Sequence, residues 1–277
     1  MAHRTRTSAR STDVSGQAEL GHHPNRKGPD MFLRLLKRIA LVFVGPLIFL
    51  FVAFVPAICG KRRGFRGWFW RTVSRSCSWL LWFLDVKVEI SEAAIRTLAE
   101  DENSVIAVNH RSHLDGFCML HVIPDEKWVT FGAKKELCRA ALLKRGFQGA
   151  GLLEIDRENG RHALESLTEA VADMPRRRSP ILFVEGTRAR TPGLPAFKPG
   201  AVLIAQATDR AVRPFVIIGS DKLLPRGAFL PKAGTITIDI LDQIEPDPNL
   251  GTDENVAVLR HAMAASYDAA TGEKTTF

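Results

Sequence analysis

Asn109, His110, Ser112, His113 and Asp115 crowd five polar side chains into the seven positions of “NHRSHLD”. The run before them, “SVIAV” from Ser104, is apolar and β-branched, so the cluster falls where a buried strand gives way to a turn. Three kinds of chemistry suit such a cluster. Ser112 followed three residues later by Asp115 fits a capping box, with Ser112 accepting from a backbone N–H at a helix start. That accounts for two side chains and leaves Asn109 and His110 idle. His110, His113 and Asp115 are metal ligands by type, but three ligands this close in sequence converge poorly, and no second His/Cys/Glu cluster recurs at matching spacing. No metal is expected. The third possibility is a general base and its orienter. A neutral histidine removes a proton from a hydroxyl near neutral pH, and a carboxylate on its other ring nitrogen fixes the tautomer and stabilises the imidazolium. His110 and Asp115 would diverge by about 140° on a helix, so they meet only across a strand-to-helix turn.

No Gly-x-Ser-x-Gly elbow occurs, so an enzyme serine has no obvious seat and His110 is expected to act on a hydroxyl of the substrate. Three further stretches suit an anionic phosphate monoester. “GLLEIDR” ends an apolar strand on Arg157; “FVEGTRA” ends another on Glu185, Gly186, Thr187 and Arg188; “FKPG” places Lys198 before an apolar helix. Backbone N–H groups near a glycine, a hydroxyl, and guanidinium or ammonium groups together grip phosphate. Any one of these cations alone is as well explained by solvation at the surface. Arg157 and Arg188 together, each closing an apolar strand, are less easily dismissed.

The elements that must position these groups alternate. Strands are expected at 86–90, 104–108, 128–132, 152–156, 181–185, 212–218 and 235–241, with helices from about 112 and near 134–144, 160–173, 200–208 and 253–268. Strands separated by helical stretches define an α/β domain, here a mixed sheet flanked by helices over residues 85–277. No internal repeat interrupts it.

The N-terminal third is different. The net charge is +8, and residues 31–84 hold nine Lys/Arg and no Asp or Glu, which leaves 29 basic against 30 acidic residues elsewhere. The same stretch contains “IALVFVGPLIFLFVAFVPAI”, 39–58, twenty residues without a charge, enough for one helix to cross a ~30 Å hydrocarbon core. Gly45-Pro46 and Pro56 weaken a continuous helix, and both flanks are basic, so a helix that dips in and returns, or lies in one leaflet, is the expectation. The run is long for a cleaved signal peptide and lacks a clear small-residue cleavage site. A buried helix of a soluble core would leave the flanking charge without a reason. “GWFWRTVSRSCSWLLWFL”, 67–84, then carries four of the five tryptophans, with Arg71 and Arg75 on one helical face, a composition suited to the bilayer interface. Residues 31–84 are therefore expected to form a helical membrane-docking unit for an anionic surface, and no nucleic acid partner is expected. Residues 1–30 are polar and are expected to be a disordered tail. Four scattered cysteines (59, 77, 118, 138) have no ligand spacing and read as small buried hydrophobes without disulfides.

Taken in order, these blocks resemble the glycerolipid acyltransferase family, and within it the bacterial-type 1-acyl-glycerol-3-phosphate acyltransferases. “NHRSHLD” resembles the first block, which implies a catalytic pair at His110 and Asp115. “GLLEIDR” resembles the second and implies a phosphate contact at Arg157; “FVEGTRA” resembles the third and implies an acceptor site at Glu185, Gly186, Thr187 and Arg188. “VRPFVI” resembles the fourth, through Pro214, and “AKKEL” resembles a segment whose lysine contacts phosphate, Lys134 or Lys135. The likeness covers about 86–220. Val184, Ala189 and Glu154 depart from the usual residues, without touching the His110–Asp115 pair. The resemblance implies transfer of a fatty acyl group from acyl-CoA or acyl carrier protein to the 2-hydroxyl of 1-acyl-glycerol-3-phosphate, giving phosphatidic acid, with no metal or bound cofactor. It places the enzyme at the cytoplasmic face of the inner membrane. The competing readings are an acyltransferase for another lysolipid, such as a lyso-aminolipid, and a non-enzymatic membrane-associated binding protein, which would keep the arginines but need no base.

Overall fold

The structure, a computed structural model, describes residues 29–60, 65–134, 141–155 and 160–277. The expected tail lies outside the described residues except for its last two positions, which open the first helix. Seven strands form one sheet: β1 (Val86–Glu89), β2 (Ser104–Val108), β3 (Trp128–Lys134), β4 (Leu153–Ile155), β5 (Arg178–Phe183), β6 (Ala211–Ile218) and β7 (Gly234–Ile240), in the order β1-β7-β6-β2-β5-β3-β4. β6, β2, β5, β3 and β4 run parallel; β7 is antiparallel to β6, and β1 runs with β7. The sheet is mixed, as expected. The last residues of β2, β5 and β6 therefore share one rim with the first residues of β7 and β1. In parallel sheets that rim, beyond the carboxyl ends of the strands, is where ligands bind.

β2 is buried at every position, because a central strand is covered on both faces and so reads as an unbroken apolar run. Its alternate residues enter two cores. Ile106 and Val108 pack with Leu81, Leu98, Leu114 and Met119, from α2 (Phe65–Phe83), α3 (Glu92–Glu100) and α4 (Leu114–Val122). Val105 and Ala107 pack with Val171, Val202, Leu259 and Tyr267, from α6 (Gly160–Ala172), α7 (Gly200–Ala207) and α9 (Thr252–Thr271). In β7, nearer the edge, Ile236 and Ile238 are buried while Thr235 and Thr237 are exposed, the alternation of a strand with one wet face.

Three expectations need correction. β3 extends through Lys134, beyond the expected 132; residues 135–140 of the helix placed at 134–144 lie outside the described residues, and α5 (Ala141–Ala150) continues past 144. α3 was not anticipated; Ser91 caps it by accepting from Ala94 N at 3.1 Å. And α1 (Pro29–Cys59) runs 31 residues straight through Pro46 and Pro56. Each proline removes a backbone donor and crowds the carbonyl one turn back, a cost that contacts holding the helix at both ends offset. Near its start, Lys37 Nζ donates to Asp85 Oδ1 at 2.7 Å and lies 4.1 Å over the Trp82 ring. At its far end the backbones touch: a Cβ on Gly149 of α5 would sit 2.0 Å from Pro56 O, and one on Gly60 would sit 2.3 Å from Gly149 Cα. Only glycines fit there. These anchors lie about 34 Å apart along the helix at 1.5 Å per residue, one at the first residues of β1 and the other at the opposite rim, before β4. α1 therefore lies along the domain. α2 returns beside it, with Phe51 stacked on Phe69 at 5.9 Å and Trp70 Nε1 donating to Ala150 O at 2.9 Å.

Candidate active site

His110 follows β2 directly, and the turn after it brings Asp115 back. The ring Nδ1 lies 2.9 Å from Asp115 Oδ2, and the same oxygen accepts from Arg111 N at 2.7 Å and Ser112 N at 2.8 Å. Three donors on one carboxylate oxygen fix the aspartate, which is fully buried, and the aspartate fixes the ring. With Nδ1–H donated to Asp115, Nε2 carries the free lone pair. Phe183, the last residue of β5, stacks on the ring at 4.1 Å with 26° between planes. The His110 side chain remains 21% exposed, enough for one edge to reach a substrate.

The capping reading is half realised. Asp115 accepts from Ser112 N, but Ser112 Oγ accepts from Leu114 N at 3.3 Å and donates to Leu224 O at 2.9 Å. α4 begins one residue later, without a side-chain cap. Asn109 is not idle. Its Nδ2 donates to Ile217 O at 2.9 Å and its Oδ1 accepts from Ile217 N at 2.7 Å, pinning the end of β2 to β6.

The other strand end sits behind and beside the pair. Glu185 is buried; its Oε1 accepts from His110 N at 3.3 Å, and Oε2 has no hydrogen-bond partner among the described residues. Burial pushes its carboxyl up to about 8. Ala189 N donates to His110 O at 2.8 Å, so the “EGTRA” turn holds the histidine backbone from both sides. Gly186 has φ +70°, and a Cβ there would meet Lys198 Cγ at 3.4 Å; the lysine stem crosses the turn at that point. Gly186, Thr187 and Lys198 are exposed. Arg188 lies near enough to His113 for its charge, after desolvation, to help lower that imidazole's pKa. The structure thus gathers His110, Asp115, Glu185, Gly186, Arg188 and Lys198 around one turn. Arg157 and Lys135 lie outside the described residues, and Lys134 is described by its backbone alone, as the end of β3.

Several supports escape a reading of the motifs. Arg111 pairs with Asp221 at 2.9 Å and donates to Thr191 O and Gly193 O at 3.1 and 2.8 Å. Glu273 Oε2 accepts from Gly193 N at 2.6 Å, and Arg260 Nη2 donates to Leu194 O at 2.7 Å. The loop between Arg188 and Lys198 is therefore clasped from the C-terminal segment. Arg111 lay inside the quoted motif, but its partners are too distant in sequence to be foreseen.

The acyltransferase family model matches residues 85–218, the stretch that carries His110, Asp115 and the “EGTRA” turn. A 1-acyl-sn-glycerol-3-phosphate acyltransferase of Cocos nucifera is 30% identical over 61% of this chain and 53% of its own length. Another, from Limnanthes douglasii, is 32% identical over 53% of this chain and 52% of its own. The chain spans about half the length of these relatives. The crystal structure of the 1-acyl-sn-glycerophosphate acyltransferase PlsC from Thermotoga maritima superposes with a TM-score of 0.63 at 21% identity, covering 87% of this chain and 97% of that one. The two share a fold.

Proposed function

We propose that this protein transfers a fatty acyl group from an acyl thioester to the 2-hydroxyl of 1-acyl-glycerol-3-phosphate, giving phosphatidic acid. The observation that carries the proposal is the His110–Asp115 contact of 2.9 Å, with the charge of Arg188 acting on nearby His113 and the Lys198 stem against Gly186. His110 Nε2 takes the hydroxyl proton as that oxygen attacks the thioester carbonyl. Asp115 stabilises the imidazolium that forms. The new C–O bond is an ester, the C–S bond breaks, and the thiol of coenzyme A or acyl carrier protein leaves with the proton. Arg188, Lys198 and, in the second block, Arg157 hold the acceptor's phosphate, with Lys134 or Lys135 as a further contact; fixing that group makes the encounter effectively unimolecular. Glu185 serves from behind, through the histidine backbone, and exposed Thr187 is a further contact for the acceptor.

The acceptor lives in a bilayer and the donor in water, and the α1–α2 hairpin bridges them. Leu35–Cys59 is long and apolar enough to cross a membrane, and Val42, Phe43, Leu47 and Ile58 stand largely exposed along it. Anchored at both ends, α1 suits a helix lying within one leaflet of an anionic membrane, with the catalytic domain on the cytoplasmic face.

The test is acyl transfer by His110→Ala in lysolipid-containing vesicles, with products identified by mass spectrometry across a panel of acceptors. The expected result is loss of at least about 10²–10⁴ in rate with folding and membrane binding kept, and a preference for phosphate-monoester heads. Normal turnover in that variant would refute the assignment.

A further inference from the structure

The proposed chemistry leaves one exposed element unused. Between α8 (Ser220–Leu223) and β7 runs “PRGAFLPK”, Pro225 to Lys232. Its base is closed, with Lys232 N donating to Leu223 O at 2.8 Å. Inside it, Ala228 N donates to Pro225 O at 3.1 Å around Gly227, whose φ is +88°, a tight turn with glycine at the left-handed position. This ordered backbone holds Phe229 out at 99% exposure and Leu230 at 56%. Lys222, Arg226 and Lys232 are exposed around them, and no acidic residue falls between 222 and 238.

Both feet of the loop stand on features already described. Leu224 O accepts from Ser112 Oγ at 2.9 Å, next to the catalytic turn. Gly234 N donates to Asp85 O at 3.1 Å, and Asp85 is the residue gripped by Lys37 of α1. The loop therefore rises beside the end of the hairpin that exposes Phe32, Leu33, Leu36, Trp79 and Trp82. Between the loop and the “EGTRA” turn lies a cavity of about 530 Å³, whose lining includes Arg111, Arg190 and Arg226.

We infer that loop 225–232 is a second membrane contact. Phe229 and Leu230 enter the interfacial layer of an anionic bilayer, and Lys222, Arg226 and Lys232 meet its phosphates. An aromatic and aliphatic tip ringed by cations is the composition the interface favours. A bilayer fits better than a protein partner because the loop's apolar tip adjoins the hairpin's apolar surface. With the hairpin running along the domain and this loop rising beside its β1 end, the His110 opening is set against the lipid that supplies the acceptor. The inference rests on the hairpin reading, and the experiment separates the two.

Phe229→Cys is made in the full chain with Cys59→Ser and Cys138→Ser, labelled with an environment-sensitive fluorophore, and mixed with vesicles of 70:30 phosphatidylcholine and phosphatidylglycerol. Parallel labels go at Trp82→Cys in the hairpin and at Asn249→Cys, in the segment between β7 and α9 at the opposite rim. The label at 229 is expected to shift to the blue and brighten at least two-fold, as at 82, with no change at 249. A silent label at 229 beside a responsive one at 82 overturns this inference and leaves the hairpin reading standing. Silence at both overturns both. Replacing Lys222, Arg226 and Lys232 with Gln should raise the lipid concentration for half-response at 229 about ten-fold or more; an unchanged value would remove the cations from the account.

Discussion

Each end of β2 adjoins a fully buried aspartate, and the two are satisfied in opposite ways. Asp101, before the strand, is surrounded by cations: Lys127 Nζ at 3.4 Å, Arg213 Nε at 3.3 Å, with Gln243 Nε2 at 3.2 Å, Asn103 N at 3.1 Å and the Ser104 hydroxyl besides. Asp115, after the strand, has no Lys or Arg paired with it among the described residues. One of its oxygens takes two backbone N–H groups and the histidine, and the other has no partner among the described residues. A carboxylate already neutralised has nothing further to give, so Asp101 is an anchor. A carboxylate steadied only by dipoles gains a counter-charge at the moment its histidine becomes an imidazolium, which is when catalysis needs it. On the proposed mechanism, similar burial thus serves stability at one end and chemistry at the other.

The sharpest way to break this contrast is to empty the anchored end. Asp101→Ala strands Lys127 and Arg213 without their shared carboxylate, which should cost about 3–5 kcal/mol, read from the urea midpoint. An unmoved midpoint would make the two ends alike. Glu185 comes next. Its carboxyl ionises near 4.5 when unfolded but stays protonated to about 8 in the native state. The stability it confers is therefore complete below pH 4.5 and is lost as pH rises to about 8. Glu185→Gln should flatten that dependence, matching the wild type at pH 5 and exceeding it by roughly 3–4 kcal/mol at pH 9; parallel curves would count against a buried neutral acid behind His110.

Smaller effects belong to substrate grip and ring orientation. Arg188→Ala, and likewise Arg157→Ala, should raise the acceptor KM about ten-fold or more while kcat changes little, since a charge-assisted contact contributes about 1.5–3 kcal/mol. An unchanged KM would favour a head group without phosphate. Phe183→Leu removes the stacked ring and about 0.5–1.5 kcal/mol of support, so kcat should fall a few-fold.

Much of this was legible in the residues, for identifiable reasons. The central strands stood out because they are apolar on both faces; the spacing of His110 and Asp115 fails on a helix and works across a turn, but it was the accompanying blocks that made the pair specific. The anchor at Asp101 was not legible. Its partners Lys127, Arg213 and Gln243 are 26, 112 and 142 positions away, and nothing local marks them. α3 escaped because it has a single buried residue, Leu98, too little to set a period. The continuity of α1 escaped because its prolines argue locally for a break, while the contacts that hold it come from Asp85 and Gly149.

The central claim is that Asp115 acts through its charge, and Asp115→Asn tests it. The amide oxygen still accepts from Arg111 N and Ser112 N, so the turn should hold and the urea midpoint should move by no more than about 1 kcal/mol. The account predicts a fall in kcat of about 10³–10⁴ at that nearly unchanged stability. A kcat within ten-fold of wild type in the folded variant would contradict it.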